Sequence, residues 1–189
     1  MHFVLASASP RRLALLAQIG IFADVCPSSF AEIEGGDSSA YNVVRTNALG
    51  KGREVLPTCQ KSDVVIAADT VVALDNKILG KPKDTIEAKE MLRTLSGKTH
   101  QVMTGVAIFH DEKELIDVVT TAVRFRKLTE AEIEAYVATG EPLDKAGAYG
   151  IQGYGALLVE TIDGCYNNVV GLPLTRFYQM LAELEVKLF

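Results

Sequence analysis

Val64-Val65-Ile66-Ala67-Ala68 is an unbroken apolar run, and Asp69-Thr70 follows it directly. A strand with one wet face alternates apolar and polar residues, whereas a continuous apolar run predicts a strand in the middle of a sheet covered on both faces. Such a sheet needs helices on either side, and the flanking sequence supplies them. Upstream, Asp37 to Leu56 reads as a long helix with Tyr41, Val44, Ala48 and Leu49 facing inward and Pro57 ending it. Before it, Ile21 to Val25 reads as a strand. His2 to Ala6 reads as another, leading into a helix with Leu13, Leu16 and Ala17 at helical spacing and Gly20 as its stop. Downstream, Val71 to Leu74 and Lys77 to Leu79 flank an Asp75-Asn76 turn. Asp84 with Glu87 opens a helix that buries Ala88, Met91, Leu92 and Leu95 and closes at Ser96-Gly97. Two long β patterns follow, Gln101 to Phe109 and Leu115 to Phe125. Thr129-Glu130-Ala131-Glu132 is a capping box opening a helix through Val137. The chain then runs through a glycine-rich stretch from Gly140 to Gly155, a hairpin at Asp163-Gly164 and a last helix from Pro173 to about Val186. Strands and helices alternating over short connections place the chain in the α/β class.

The 189 residues suffice for a substantial core, and without an internal linker or repeat residues 1–189 read as a single domain. With 48% hydrophobic and 23% charged residues the composition is that of a soluble globular protein. A net charge of −5 argues against a nucleic-acid polymer as partner, because neutralising many phosphates takes a basic face; a small anion needs only a local cluster. Cys26, Cys59 and Cys165 are odd in number and lack metal-ligand spacing, so free thiols in a reducing compartment are expected. No run approaches the ~20 apolar residues of a membrane helix, and the reading is of a cytoplasmic protein without a membrane partner.

Ser7-Ala8-Ser9-Pro10-Arg11-Arg12 joins the first strand to the first helix, with Ser9 as N-cap and Pro10 at the first helical position. The unpaired N–H groups of a helix start, its partial positive charge and two guanidinium forks all favour phosphate; a plain turn with a solvated arginine pair is the alternative. Asp69-Thr70 is expected at a strand end, where open α/β sheets bind ligands, although Asp and Thr also favour turns for local reasons. Lys51 on the long helix and Lys81 in Gly80-Lys81-Pro82 add cations, and Glu32 adds a second carboxylate. A triphosphate needs both kinds of group: cations for its charge and hard oxygen ligands for magnesium. The loop from Glu141 to Gly153 is long enough to be functional, and Gln152 in it carries both a donor and an acceptor suited to a base edge. Gly97-Lys98-Thr99 imitates the end of a P-loop but runs from helix to strand and lacks the first glycine. His2, His100 and His110 have no zinc spacing, and neither a nucleophile elbow nor a dinucleotide-binding fingerprint is present.

Ser7 to Arg12, Ala68-Asp69-Thr70-Val71, Leu79 to Pro82, Met91 to Gly97, Thr104-Gly105-Val106 and Glu141 to Gly153 follow one another as in the Maf family, which the chain resembles over almost its whole length. The resemblance implies an inosine triphosphate pyrophosphatase-like fold: a mixed twisted sheet flanked by helices, with an active-site cleft between two lobes. It implies a nucleoside triphosphate pyrophosphatase that cuts between the α and β phosphates, assisted by a divalent cation, magnesium first and manganese as the alternative. Asp69, Glu32 and Lys81 would be catalytic, with Asp69 and Glu32 at the metal. Ser7, Arg11, Arg12, Lys51, Thr70 and Gln152 would bind substrate. The form of Asp144 to Gly153 resembles the dTTP/UTP branch; the alternatives are the 7-methyl-GTP branch and a non-catalytic nucleotide-binding regulator of cell division. A homodimer is a family-level expectation. Ala31 stands where a further acid is expected beside Glu32, and Ala67 where a glycine often precedes Ala-Asp-Thr.

Overall fold

The computed structural model describes residues 1–35 and 38–189. It contains a seven-stranded mixed sheet made of β1 (Phe3–Leu5), β2 (Asp24–Val25), β3 (Val64–Leu74), β4 (Lys77–Leu79), β5 (Thr99–His110), β6 (Lys113–Phe125) and β7 (Val159–Asp163). The helices are α1 (Pro10–Gln18), α2 (Ala40–Val55), α3 (Thr85–Leu95), α4 (Glu130–Ala138), α5 (Tyr166–Val170) and α6 (Leu174–Glu183). The strand order is β2-β1-β3-β5-β6-β7, with β4 also on β3. Among the described residues no helix is long and apolar enough to cross a membrane.

β3 corrects the sequence reading at the point that matters most. Asp69-Thr70 does not end a strand; it lies in the middle of an eleven-residue one. β5 pairs antiparallel along one whole edge, from Val65↔Phe109 to Ala73↔Gln101, and that ladder overrides the turn preference of Asp and Thr. The other edge is shared. β1 pairs with it in parallel from Phe3↔Val64 to Leu5↔Ile66, and β4 in antiparallel from Val72↔Leu79 to Leu74↔Lys77. Between these two ladders Ala67 to Val71 has no strand partner on that edge among the described residues. A cleft opens there. The β3–β4 turn uses Asp75 and Asn76 at φ 49° and 65°, the left-handed region that tight hairpin turns demand.

Side chains on β3 alternate between faces. Val65 and Ala67 pack with Ala48, Leu49 and Val55, and Val71 with Val43 and Val44, all from α2. Ile66 and Ala68 pack with Leu16, Phe177 and Leu181 of α1 and α6, and Val72 with Leu92 and Leu95 of α3. Asp69 therefore shares the α2 face and Thr70 the opposite one.

Other expectations shift in detail. The strand expected at Ile21 to Val25 shrinks to Asp24–Val25. Tyr41 is exposed rather than inward-facing, and the expected start of its helix at Asp37 lies outside the described residues. Asp163-Gly164 makes no hairpin: β7 runs through it into α5. Ser9 holds the N-cap position of α1 without a side-chain capping bond. The Thr129–Glu132 capping box forms as expected.

Gly105, the β5 partner of Asp69, sets the height of α2 above the sheet. A Cβ there would press into the Val44 carbonyl, which is helix backbone and cannot rotate away. Gly105→Ala should therefore lift α2 and destabilise the fold by about 1–3 kcal/mol. Chemical denaturation would show this as a lower midpoint, and an unchanged midpoint would contradict it.

Candidate active site

Asp69 enters the cleft from the α2 face, 6% exposed. Lys51 and Asn47 stand one helical turn apart on α2 and so share the face that covers it. Lys51 Nζ is 2.7 Å from Asp69 Oδ1 and 2.9 Å from Glu32 Oε1, which makes it a bridge between the two carboxylates. Asn47 Nδ2 donates to Asp69 Oδ2 at 3.0 Å. The sequence reading expects Lys51 to grip phosphate; in the structure its ammonium lies between the two carboxylates and neutralises them. Without it two like charges would face each other at the edge of a desolvated site.

On the other face the Arg12 guanidinium is buried. Its Nε donates to Gly171 O at 2.9 Å, Nη1 to Ser7 Oγ at 3.0 Å and Nη2 to Thr70 Oγ1 at 3.1 Å. Thr70 and Thr104 hydroxyls lie 2.9 Å apart, and Thr104 donates to Asn168 O at 3.0 Å. Burial lowers the Arg12 pKa from its ordinary value, with Asp69 opposing. Arginine keeps its proton nonetheless. The result is a fixed, desolvated cation whose direct partners are all neutral, a site shaped for an anion.

The late loop closes the cleft. Glu141 organises it, Oε2 accepting from Tyr154 N at 3.0 Å and Oε1 from Gly155 N at 3.1 Å and Tyr136 Oη at 2.9 Å. Gly147 adopts φ +68°, and a Cβ there would sit 2.9 Å from Val72 Cγ2; its N–H donates to Gly80 O, tying the loop to the turn that carries Lys81. Asp144 crosses to Arg11 Nη1 at 3.0 Å and also accepts from Lys145 Nζ at 2.6 Å. Gln152 stays exposed at the rim.

Ser7, Arg11, Arg12, Glu32, Lys51, Asp69, Thr70, Lys81 and Gln152 all line this one cleft of about 1260 Å³. Sequence reasoning missed Asn47, although its four-residue spacing from Lys51 was a signal, and Thr104, Glu141 and Asp144, whose parts depend on pairings that local sequence does not show.

The Maf-like protein family model matches residues 2–184. The chain belongs to the Maf family. A Maf relative from Bacillus cytotoxicus named dTTP/UTP pyrophosphatase is 50% identical over 183 residues, 97% of this chain and 95% of that one. Another of the same name, from Clostridioides difficile, is 46% identical over 192 residues, 100% and 98% of the two chains. A solved nucleoside-triphosphatase / dITP/XTP pyrophosphatase from Mycobacterium abscessus aligns over 97% of this chain and 98% of that one at 15% identity and a TM-score of 0.47, too distant to carry an inference.

The Maf cleft is backed by a buried aromatic cluster. Tyr149, on its lining, shares a 2.7 Å hydrogen bond with His100 Nε2, and both rings pack edge-on against Phe125. Burial pushes the His100 pKa down to about 4. The unfolded chain then binds a proton below pH 6.5 that the folded state refuses until about pH 4. This group's contribution to stability is full above pH 6.5 and falls by roughly 3 kcal/mol as the pH drops through that window. Denaturation at stepped pH should show the wild-type advantage over His100→Gln shrinking from pH 6.5 to 4; a constant difference would contradict it.

Proposed function

We propose that this protein hydrolyses dTTP and UTP, and modified pyrimidine triphosphates of the same shape, to the nucleoside monophosphate and pyrophosphate. The observation that carries the reading is the pairing, across one cleft, of a buried arginine with neutral partners and a buried carboxylate held at both oxygens. The first awaits an anion, and the second is oriented to take a proton. The names of the relatives at 46–50% identity over nearly the whole chain support the same substrates.

Arg12, with Ser7 and Thr70 fixing its plane, holds triphosphate oxygens from one side, and Lys81 and Arg11 from the rim. Arg11 does so while its Nη1 donates to Asp144. Water attacks the α phosphorus, Asp69 accepts its proton, and the bond from that phosphorus to the bridging oxygen breaks, so that pyrophosphate departs with the oxygen. Lys51 holds Asp69 and Glu32 in register while negative charge gathers. The donor chemistry suits magnesium: Asp69 and Glu32 are hard oxygen ligands, and magnesium takes one or two carboxylates plus substrate phosphates rather than an all-protein cage. Asp69 and Glu32 would hold it, and when bound it neutralises phosphate charge. Gln152 at the rim reads the base edge. Free Cys26, Cys59 and Cys165 accord with a reducing, cytoplasmic setting.

Pyrophosphate release with magnesium, measured across dTTP, UTP, 5-methyl-UTP, CTP, GTP, 7-methyl-GTP and ITP, should favour dTTP and UTP. Asp69→Asn should retain the fold by circular dichroism and lose on the order of 10²- to 10⁴-fold in turnover. Undiminished turnover would refute the role of Asp69, preference for 7-methyl-GTP would move the chain to the other branch, and silence across the panel would leave a nucleotide-binding regulator. Gln152→Ala should alter the ratio of UTP to purine triphosphate rates more than it alters affinity for the shared triphosphate, and an unchanged ratio would remove Gln152 from base discrimination.

A further inference from the structure

Asn47 is 1% exposed, yet its amide faces the two segments that carry the carboxylates. Its Nδ2 donates both to Asp69 Oδ2 at 3.0 Å and to Ile33 O at 3.0 Å, and its Oδ1 accepts from Ile33 N at 2.9 Å. The side chain thereby copies a strand neighbour for Ile33, engaging both backbone groups of the residue next to Glu32. One planar amide fixes the two carboxylate carriers relative to each other. Lys51 also touches both, but through a single charge on a four-carbon stem, which neutralises without setting an angle. Rotation about χ2 of Asp69 is soft, since a carboxylate's terminal torsion has broad wells. With Oδ1 on Lys51 and Oδ2 on Asn47 from the same helix, the carboxylate plane is defined by two donors one turn apart.

We infer that Asn47 is a positioning residue for hydrolysis, setting the plane of Asp69 and docking the Glu32 segment against it. This inference rests on the pyrophosphatase reading above. A structural tether alone would need Ile33 but not Asp69; a hydrogen bond to Asp69 alone would need no contact with Ile33. The amide makes both, and replacing it removes the partner of one Asp69 oxygen and of both backbone groups of Ile33.

The test is steady-state pyrophosphate release from dTTP and UTP by wild type, Asn47→Ala, Glu32→Gln and the double variant, alongside thermal denaturation. Asn47→Ala should lower kcat on the order of 10- to 100-fold with KM little changed, as loss of a supporting hydrogen bond does. If Asn47 acts through Glu32 placement, its penalty should shrink markedly in the Glu32→Gln background. Should Asn47→Ala not fold, Asn47→Asp keeps the shape and exchanges the donor for an acceptor, and the same kcat loss is expected of it. Wild-type kcat in a folded Asn47 variant would overturn the positioning role, and a loss fully additive with Glu32→Gln would overturn its Glu32 arm, either result leaving the reaction standing. No release by wild type itself would overturn the reaction and the role together.

Discussion

The Lys51 ammonium between Asp69 and Glu32 is the contact around which the rest is arranged. Two carboxylates facing one point repel, and the buried one, Asp69, is costly to hold without a partner. A single cation from α2 removes both problems, provided the helix lies close enough to the sheet. Gly105 grants that closeness, and the apolar packing of Val43, Val44, Ala48 and Leu49 maintains it. The sequence around Lys51 thus serves one requirement: a flat helix face with an amide, a cation and small or branched apolar residues at helical spacing.

The opposite face answers a different requirement. Arg12 carries a charge into the interior with hydroxyls and a carbonyl as its direct partners, and the Thr70–Thr104 pair passes the hydrogen bonding on to Asn168. Because adjacent residues of β3 face opposite sides, the acid and the arginine approach the same opening from the two sides of the sheet. A net charge of −5 is compatible with this, since the cations that matter are held locally at the cleft.

Much of this was legible in the sequence. The run Val64 to Ala68 announced a strand covered on both faces, and the motif residues named from the chain all reach one cleft. The places where the reading slipped share a cause. Asp69-Thr70 and Asp163-Gly164 carry strong local turn preferences, and the first was overridden by a ladder with residues more than thirty positions away while the second resolved as a strand-to-helix turn. Beyond its four-residue spacing from Lys51, Asn47 gives no local sign of its part, because its significance lies in Ile33 and Asp69, which reach it from either side in sequence. Arg11 carried the right charge for phosphate, but its pairing with Asp144 across 133 positions is a tertiary fact.

β1 and β4 hold the same edge of β3 at separate stations, the first ladder ending at Ile66 and the second beginning at Val72. At ~3.3 Å of rise per residue those stations are about 20 Å apart. The opening is therefore measured out by peptide geometry, like graduations on a ruler, and no exchange of side chains lengthens or shortens it. Ligands that differ only in their base meet an identical frame along the strand. The power to tell them apart is left to the loops at the rim, which can vary freely while the frame beneath them stays the same.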